Sequence, residues 1–220
     1  MRRKEIILLI TTILVILAMI LYIAYAAVTL SNTQTINNLN LSAYTGTNLS
    51  LTSSGGGSLG LTVNESDMTE DNVGNIVASA NDNLVVTLDT DGKKALCCSY
   101  DLVWNWDSSY DHYTASGSGE YVLSGTLSES YVNSSSVTIP ITSNVSKFTN
   151  TQIPNYANSG SSVYSTSICN NTGSLTTRET QTWNLKADFY NINTAQESLK
   201  GKNYVGKVQM ANVSCTPGGG

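Results

Sequence analysis

Two short stretches of this 220-residue chain hold side chains able to do chemistry. Asp107, Asp111 and His112 crowd the segment Asp107–Tyr113, a grouping that can bind a metal or move a proton. His112 is the only histidine, however, and a zinc hydrolase needs further ligands such as the paired histidines of His-Glu-x-x-His. The segment reads instead as a polar turn of Asp, Ser and Tyr. Asp89, Asp91 and Gly92 begin like a calcium loop, but the remaining oxygens and the closing Glu are missing at the required spacing, so a tight turn is expected. Gly55 to Gly60 matches G-x-G-x-x-G, and Gly56 to Gly60 matches G-x-S-x-G. A dinucleotide site and a nucleophile elbow both need a strand before the glycines and a helix after them, and no long amphipathic helix follows Gly60. No catalytic residue, cofactor site or metal site emerges, so the expectation is a non-enzymatic protein.

Four cysteines offer covalent rather than catalytic chemistry: Cys97, Cys98, Cys169 and Cys215. An even number in an exported chain points to disulfides. Cys97 and Cys98 are adjacent, so on a strand they face opposite ways. One can bridge Cys169 and the other Cys215, but three pairings are open, and so is a set of free buried thiols. Aromatic residues are concentrated nearby, at Tyr100, Trp104, Trp106, Tyr110, Tyr113 and Tyr121. If exposed, Trp104, Trp106, Tyr110 and Tyr113 would stack on sugars; otherwise they pack a core.

These residues lie downstream of a segment that decides where they work. Arg2, Arg3 and Lys4 precede an apolar run from Ile6 to Val28, interrupted only by Thr11 and Thr12. About 20 apolar residues suffice to cross a bilayer as a helix. A basic cluster in front stays in the cytoplasm, so the chain that follows is delivered outside. Ala24-Tyr25-Ala26 fits the small-x-small cleavage pattern, with cleavage between Ala26 and Ala27. Residues 1–28 are therefore a signal peptide or, if retained, a membrane anchor. Net charge is −5, or about −7 once Arg2, Arg3, Lys4 and Glu5 are removed. An acidic exported domain has no electrostatic case for nucleic acid.

From Thr29 onward the pattern is β. Leu39 and Leu41, then Leu49 and Leu51, alternate with polar residues, and Ser53–Ser58 is a Ser/Gly break. Leu96, Cys98, Tyr100, Leu102, Trp104 and Trp106 share one strand face, the best candidate for a core surface. A turn at Ser116–Gly119 is expected to return the chain through Tyr121–Leu127 as a hairpin partner of that strand. Val137–Ile141 reads as a strand with Pro140 marking an edge or a bulge. Trp183, Leu185, Ala187 and Phe189 alternate with Asn184, Lys186, Asp188 and Tyr190, and Tyr204–Val213 closes the domain. Many short strands without a βαβ rhythm give an all-β fold, an antiparallel sandwich of jelly-roll or immunoglobulin type. The expected division is 1–28 as leader, 29–58 as an N-terminal strand segment and Gly-rich linker, and 59–216 as the sandwich.

Several of these stretches resemble the TasA/camelysin-like family of exported bacterial matrix proteins. They are Tyr25-Ala26-Ala27-Val28-Thr29, Asn40-Leu41-Ser42, Leu49-Ser50-Leu51, Asp67-Met68-Thr69-Glu70-Asp71, Trp183–Asn191 and Leu199-Lys200-Gly201-Lys202-Asn203-Tyr204. The sequence lacks the Phe-Thr-Asp that often follows cleavage in that family, and its Cys- and Trp-bearing centre departs from it. The resemblance implies a leader cut by a dedicated signal peptidase and a jelly-roll subunit of an extracellular fibre. In such a fibre the N-terminal strand of one copy completes the sheet of the next, so the partner is another copy or another matrix protein. Leu39, Leu41, Leu49 and Leu51 would form that donor strand, since an open sheet edge is a template for a strand from another chain. The alternative is a monomeric surface adhesin or carbohydrate-binding module using Trp104, Trp106, Tyr110 and Tyr113.

Overall fold

The computed structural model describes residues 33–37, 50–55, 58–90, 96–133, 135–170, 177–192 and 196–217. The leader 1–28 with Ala26 and Ala27, the donor-strand positions Leu39, Leu41 and Leu49, and Asp91-Gly92 of the expected turn lie outside these residues. Among the described residues no helix is long and apolar enough to cross a membrane. Residues 34–220 form one compact unit.

That unit is all-β and antiparallel. Its strands are β1 (Thr33–Asn37), β2 (Ser50–Gly55), β3 (Leu59–Thr62), β4 (Ile76–Asp89), β5 (Leu96–Trp106), β6 (Tyr121–Val132), β7 (Thr138–Gln152), β8 (Ser161–Cys169), β9 (Arg178–Tyr190) and β10 (Asn203–Pro217). They make a six-stranded sheet, β1-β2-β4-β9-β6-β7, and a four-stranded sheet, β3-β10-β5-β8. From β3 on, the chain is a long hairpin folded at the β6–β7 turn. β6 pairs with β7, β5 with β8, β4 with β9 and β3 with β10. From β3 on, every connection except β6–β7 changes sheet, which is the winding of a jelly roll. β2 is an addition to this eight-stranded body, laid along β4 from Ser50↔Asp89 to Gly55↔Leu84.

The alternation of β5 and β9 holds. Leu96, Cys98, Tyr100, Leu102, Trp104 and Trp106 are all buried, as are Trp183, Leu185, Ala187 and Phe189 opposite them. Each such side chain contributes about 1.5–3 kcal/mol on burial. The expected hairpin of residues 96–106 with 121–127 does not form. β5 pairs with β8 and β10, while β6 lies in the other sheet between β9 and β7. The connection 107–120 carries the chain across the sandwich, because both strands have an apolar face to bury and facing sheets bury both. The Ser/Gly break is also shorter than expected, since Ser53 to Gly55 continue β2. Gly55 ends it at φ 81°, where an added Cβ would sit 2.3 Å from the Asn83 carbonyl oxygen, so only glycine fits. Pro140 does lie on an edge strand, next to a register irregularity where Glu129↔Thr142 gives way to Ser130↔Pro140.

Candidate functional site

The aromatic residues come together, but inside. Trp104, Tyr113 and Tyr121 are fully buried and Trp106 is 8% exposed. Ring centroids are 5.3 Å apart for Trp104–Trp106, 5.6 Å for Trp106–Tyr113 and 5.3 Å for Tyr113–Tyr121, with Tyr204 and Phe189 completing the cluster. These are edge-on and tilted contacts of a packed core. The glycan platform expected at Trp104, Trp106, Tyr110 and Tyr113 is therefore corrected: only Tyr110 is exposed. Trp104 packs so close to β10 that a Cβ on Gly206 would lie 2.2 Å from its ring. Trp106 donates its ring N–H to the Pro154 carbonyl at 2.9 Å. Burial is the chief cause pushing the Tyr100, Tyr113, Tyr121 and Tyr204 hydroxyls well above the ordinary tyrosine range.

The grouping around His112 separates into three structural tasks. Asp107 accepts from the Ser109 amide at 2.9 Å and shapes a turn. Asp111 accepts from the Asn203 amide at 2.9 Å and pairs with Lys202 at 3.2 Å, tying the loop to the start of β10. The Asn203 amide, then Lys202, holds the Asp111 carboxyl below its ordinary value. The His112 ring stacks on Tyr156, 3.6 Å between centroids. Among the described residues no three His, Cys, Asp or Glu side chains group as a metal cage.

Glu120 was given no role by sequence reasoning, although it is fully buried. Its carboxylate accepts from the Tyr113 hydroxyl and the Ser116 amide, both at 2.9 Å, and from the Gln196 amide at 2.6 Å. Gln196 also donates to the Tyr190 carbonyl at 3.0 Å and accepts from the Ile192 amide at 2.9 Å. This network pins the loop ahead of β6 to the loop after β9. A buried carboxylate with three donors is a brace rather than an exposed acid.

The cysteines pair as Cys97–Cys169 and Cys98–Cys215, each with Cα atoms 4.0 Å apart. Cys97 lies directly opposite Cys169 on β8, and Cys98 opposite Cys215 on β10. Both neighbours of β5 are thus stapled to it, from opposite faces, as adjacent positions on a strand require. Two disulfides are consistent with an oxidising, extracellular setting.

What remains for interaction is the rim of the six-stranded sheet. At one end sit the N-terminal strands, β1 outermost and β2 inside it. Leu51, expected in a donor strand, instead pairs with Leu88 of its own β4 and is fully buried against the core. At the other end β7 pairs only with β6, leaving the far backbone edge of a 15-residue strand without a partner strand among the described residues. Val137 just before it, and Ile141 and Val145 within it, are exposed. Long edges with exposed apolar side chains invite another strand. The sequence signal for this was the Pro140 strand itself; its edge position was readable, its open length was not.

No family model matches the chain, and no curated protein matches it. Among solved structures it is similar to the carbohydrate-binding module TmCBM61 in complex with beta-1,4-galactotriose, at 5% identity over 86% of this chain and 83% of that one, with a TM-score of 0.25. It is also similar to the infectious bursal disease virus VP2 subviral particle, at 12% identity over 75% of this chain and 39% of that one, with a TM-score of 0.21. At these TM-scores neither likeness bears on function.

Proposed function

We propose that this chain is a non-enzymatic structural subunit of a cell-surface or extracellular matrix fibre, exported by its N-terminal segment and assembled by strand exchange. The observation that carries the reading is the asymmetry of the six-stranded sheet. One end is built from the N-terminal segment, through β2 on β4, and the other end is the open edge of β7. A strand supplied at one end and an edge offered at the other make a head-to-tail contact, and a head-to-tail contact that does not close gives a filament. The residues 38–49 that precede β2 carry Leu39, Leu41 and Leu49, the alternation a donated strand needs. The resemblance to the TasA/camelysin-like family supports the same assembly.

Negative-stain microscopy of the chain starting at Ala27, beside a chain starting at Leu59, tests this. The longer form is expected to give filaments and the shorter one folded single particles. Uniform particles from both, or filaments from the shorter one, would sink the proposal.

A further inference from the structure

The outer face of the six-stranded sheet carries a trough of about 330 Å³ that runs across the strands rather than along them. Its floor is the backbone of one register row, Asp82 of β4, Leu185 of β9, Gly125 of β6 and Phe148 of β7, in which Leu185 and Phe148 turn their side chains to the core. The next register row supplies one wall: Asn83, Asn184, Thr126 and Ser146. The row on the other side, Asn81, Lys186 and Ser124, supplies the second. Four adjacent strands make a trough about 14 Å long, the span of a short oligosaccharide.

Three wall residues, Asn184, Ser124 and Lys186, are held in place. Asn144 and Asn150 of β7 both take left-handed backbone, φ 50° and 51°, at irregularities of the β6–β7 register. Asn144 donates its amide to Ser128 at 2.9 Å and accepts from the Asn184 side chain at 3.0 Å. Asn150 donates its amide to Ser124 at 3.1 Å. Lys186 is fixed by Asp188 at 2.9 Å, and Asp188 by the Ser79 hydroxyl at 2.5 Å. Bulges of this kind re-aim side chains, and side chains fixed in advance lose less freedom on binding.

The chemistry of the walls selects the ligand. Amides and hydroxyls each donate and accept, as sugar hydroxyls do. The single ammonium, Lys186, is paired with Asp188, so the walls offer no unpaired cation to phosphate or an anionic polymer. The two wall rows carry no large apolar side chain of the kind that anchors a protein partner. We propose that this trough binds a segment of a neutral polysaccharide.

Calorimetric titration of the exported chain with neutral hexasaccharides of glucose, xylose, mannose and galactose tests the proposal. At least one is expected to bind saturably. Replacing the exposed pair, Asn81→Ala with Asn83→Ala, is expected to weaken it roughly tenfold, with Asn184→Ala as an independent second variant. An unchanged thermal transition would show that these variants keep the fold. The absence of saturable binding by all four sugars, or binding that both variants leave intact, overturns the proposal.

Discussion

β5 and β7 are both long strands, 11 and 15 residues, yet they are built for opposite purposes. β5 has a neighbour on each side and a disulfide to each, and its inward face is a run of Leu, Cys, Tyr and Trp with almost no exposure. Among the described residues β7 has one neighbour strand, several register irregularities and one inward aromatic anchor, Phe148. Its backbone is regular enough to extend the sheet, while little of its surface is committed to the core. The difference teaches that stability and availability for assembly are held in different strands. The strand that secures the fold is sealed on both edges, and the strand that is open contributes little to holding it.

The sharpest way to break that contrast is Trp104→Ala on β5, which is expected to cost about 3–5 kcal/mol because nothing nearby can collapse into a fully buried indole site. Denaturant unfolding measures it, and a loss below that of an ordinary surface change would show that the aromatic cluster is not the anchor. Next in size is the staple. Cys98→Ala with Cys215→Ala opens a loop closed over 117 residues and is expected to cost about 2–4 kcal/mol. An unfolding midpoint that does not move would mean that β10 is secured by packing alone.

High pH probes the same core without a mutation. In the unfolded chain tyrosine ionises near pH 10, whereas burial keeps the folded hydroxyls of Tyr100, Tyr113, Tyr121 and Tyr204 protonated well above that. Above pH 10 the unfolded state binds fewer protons than the folded one, so stability falls as pH rises. Tyrosinate absorbance is expected to show a late, cooperative step coincident with loss of near-ultraviolet circular dichroism. Gradual titration of all tyrosines near pH 10 in the folded state would contradict the buried cluster. The smallest effect on stability belongs to β7. Replacing Val137, Ile141 and Val145 together by Thr is expected to change unfolding by no more than about 0.5 kcal/mol per site, yet to impair filament formation. Filaments of wild-type length would separate edge exposure from assembly.

Much of the fold was legible in the chain because a strand's period of two records which side chains point inward. The faces of β5 and β9 were readable for that reason, as was the edge character around Pro140. Partners were not readable. Tyr121–Leu127 follows β5 in sequence but joins β9 and β7, and the true neighbours of β5 come from residues 161–169 and 203–217. Alternation states that a face needs covering, and any apolar face of matching length can cover it. The aromatic group shows the same limit: Trp104 and Tyr113 have the composition of a sugar platform and of a core, and only the facing sheet made them core.

By itself, then, the sequence determined composition-level and local facts: an apolar N-terminal run with a basic front, β alternation, an even set of cysteines with two of them back to back, and the absence of paired ligands around His112. These follow from residue type and short spacing. The tertiary structure decided which of three disulfide pairings forms, because β5 lies between β8 and β10 and places each cysteine opposite one partner. It decided that Trp104, Trp106 and Tyr113 are interior, and it assembled the trough from four strands whose outward residues look in sequence like ordinary solvated positions. Each of these depends on contacts between segments tens of residues apart, and such contacts are set by the closing of the two sheets on each other.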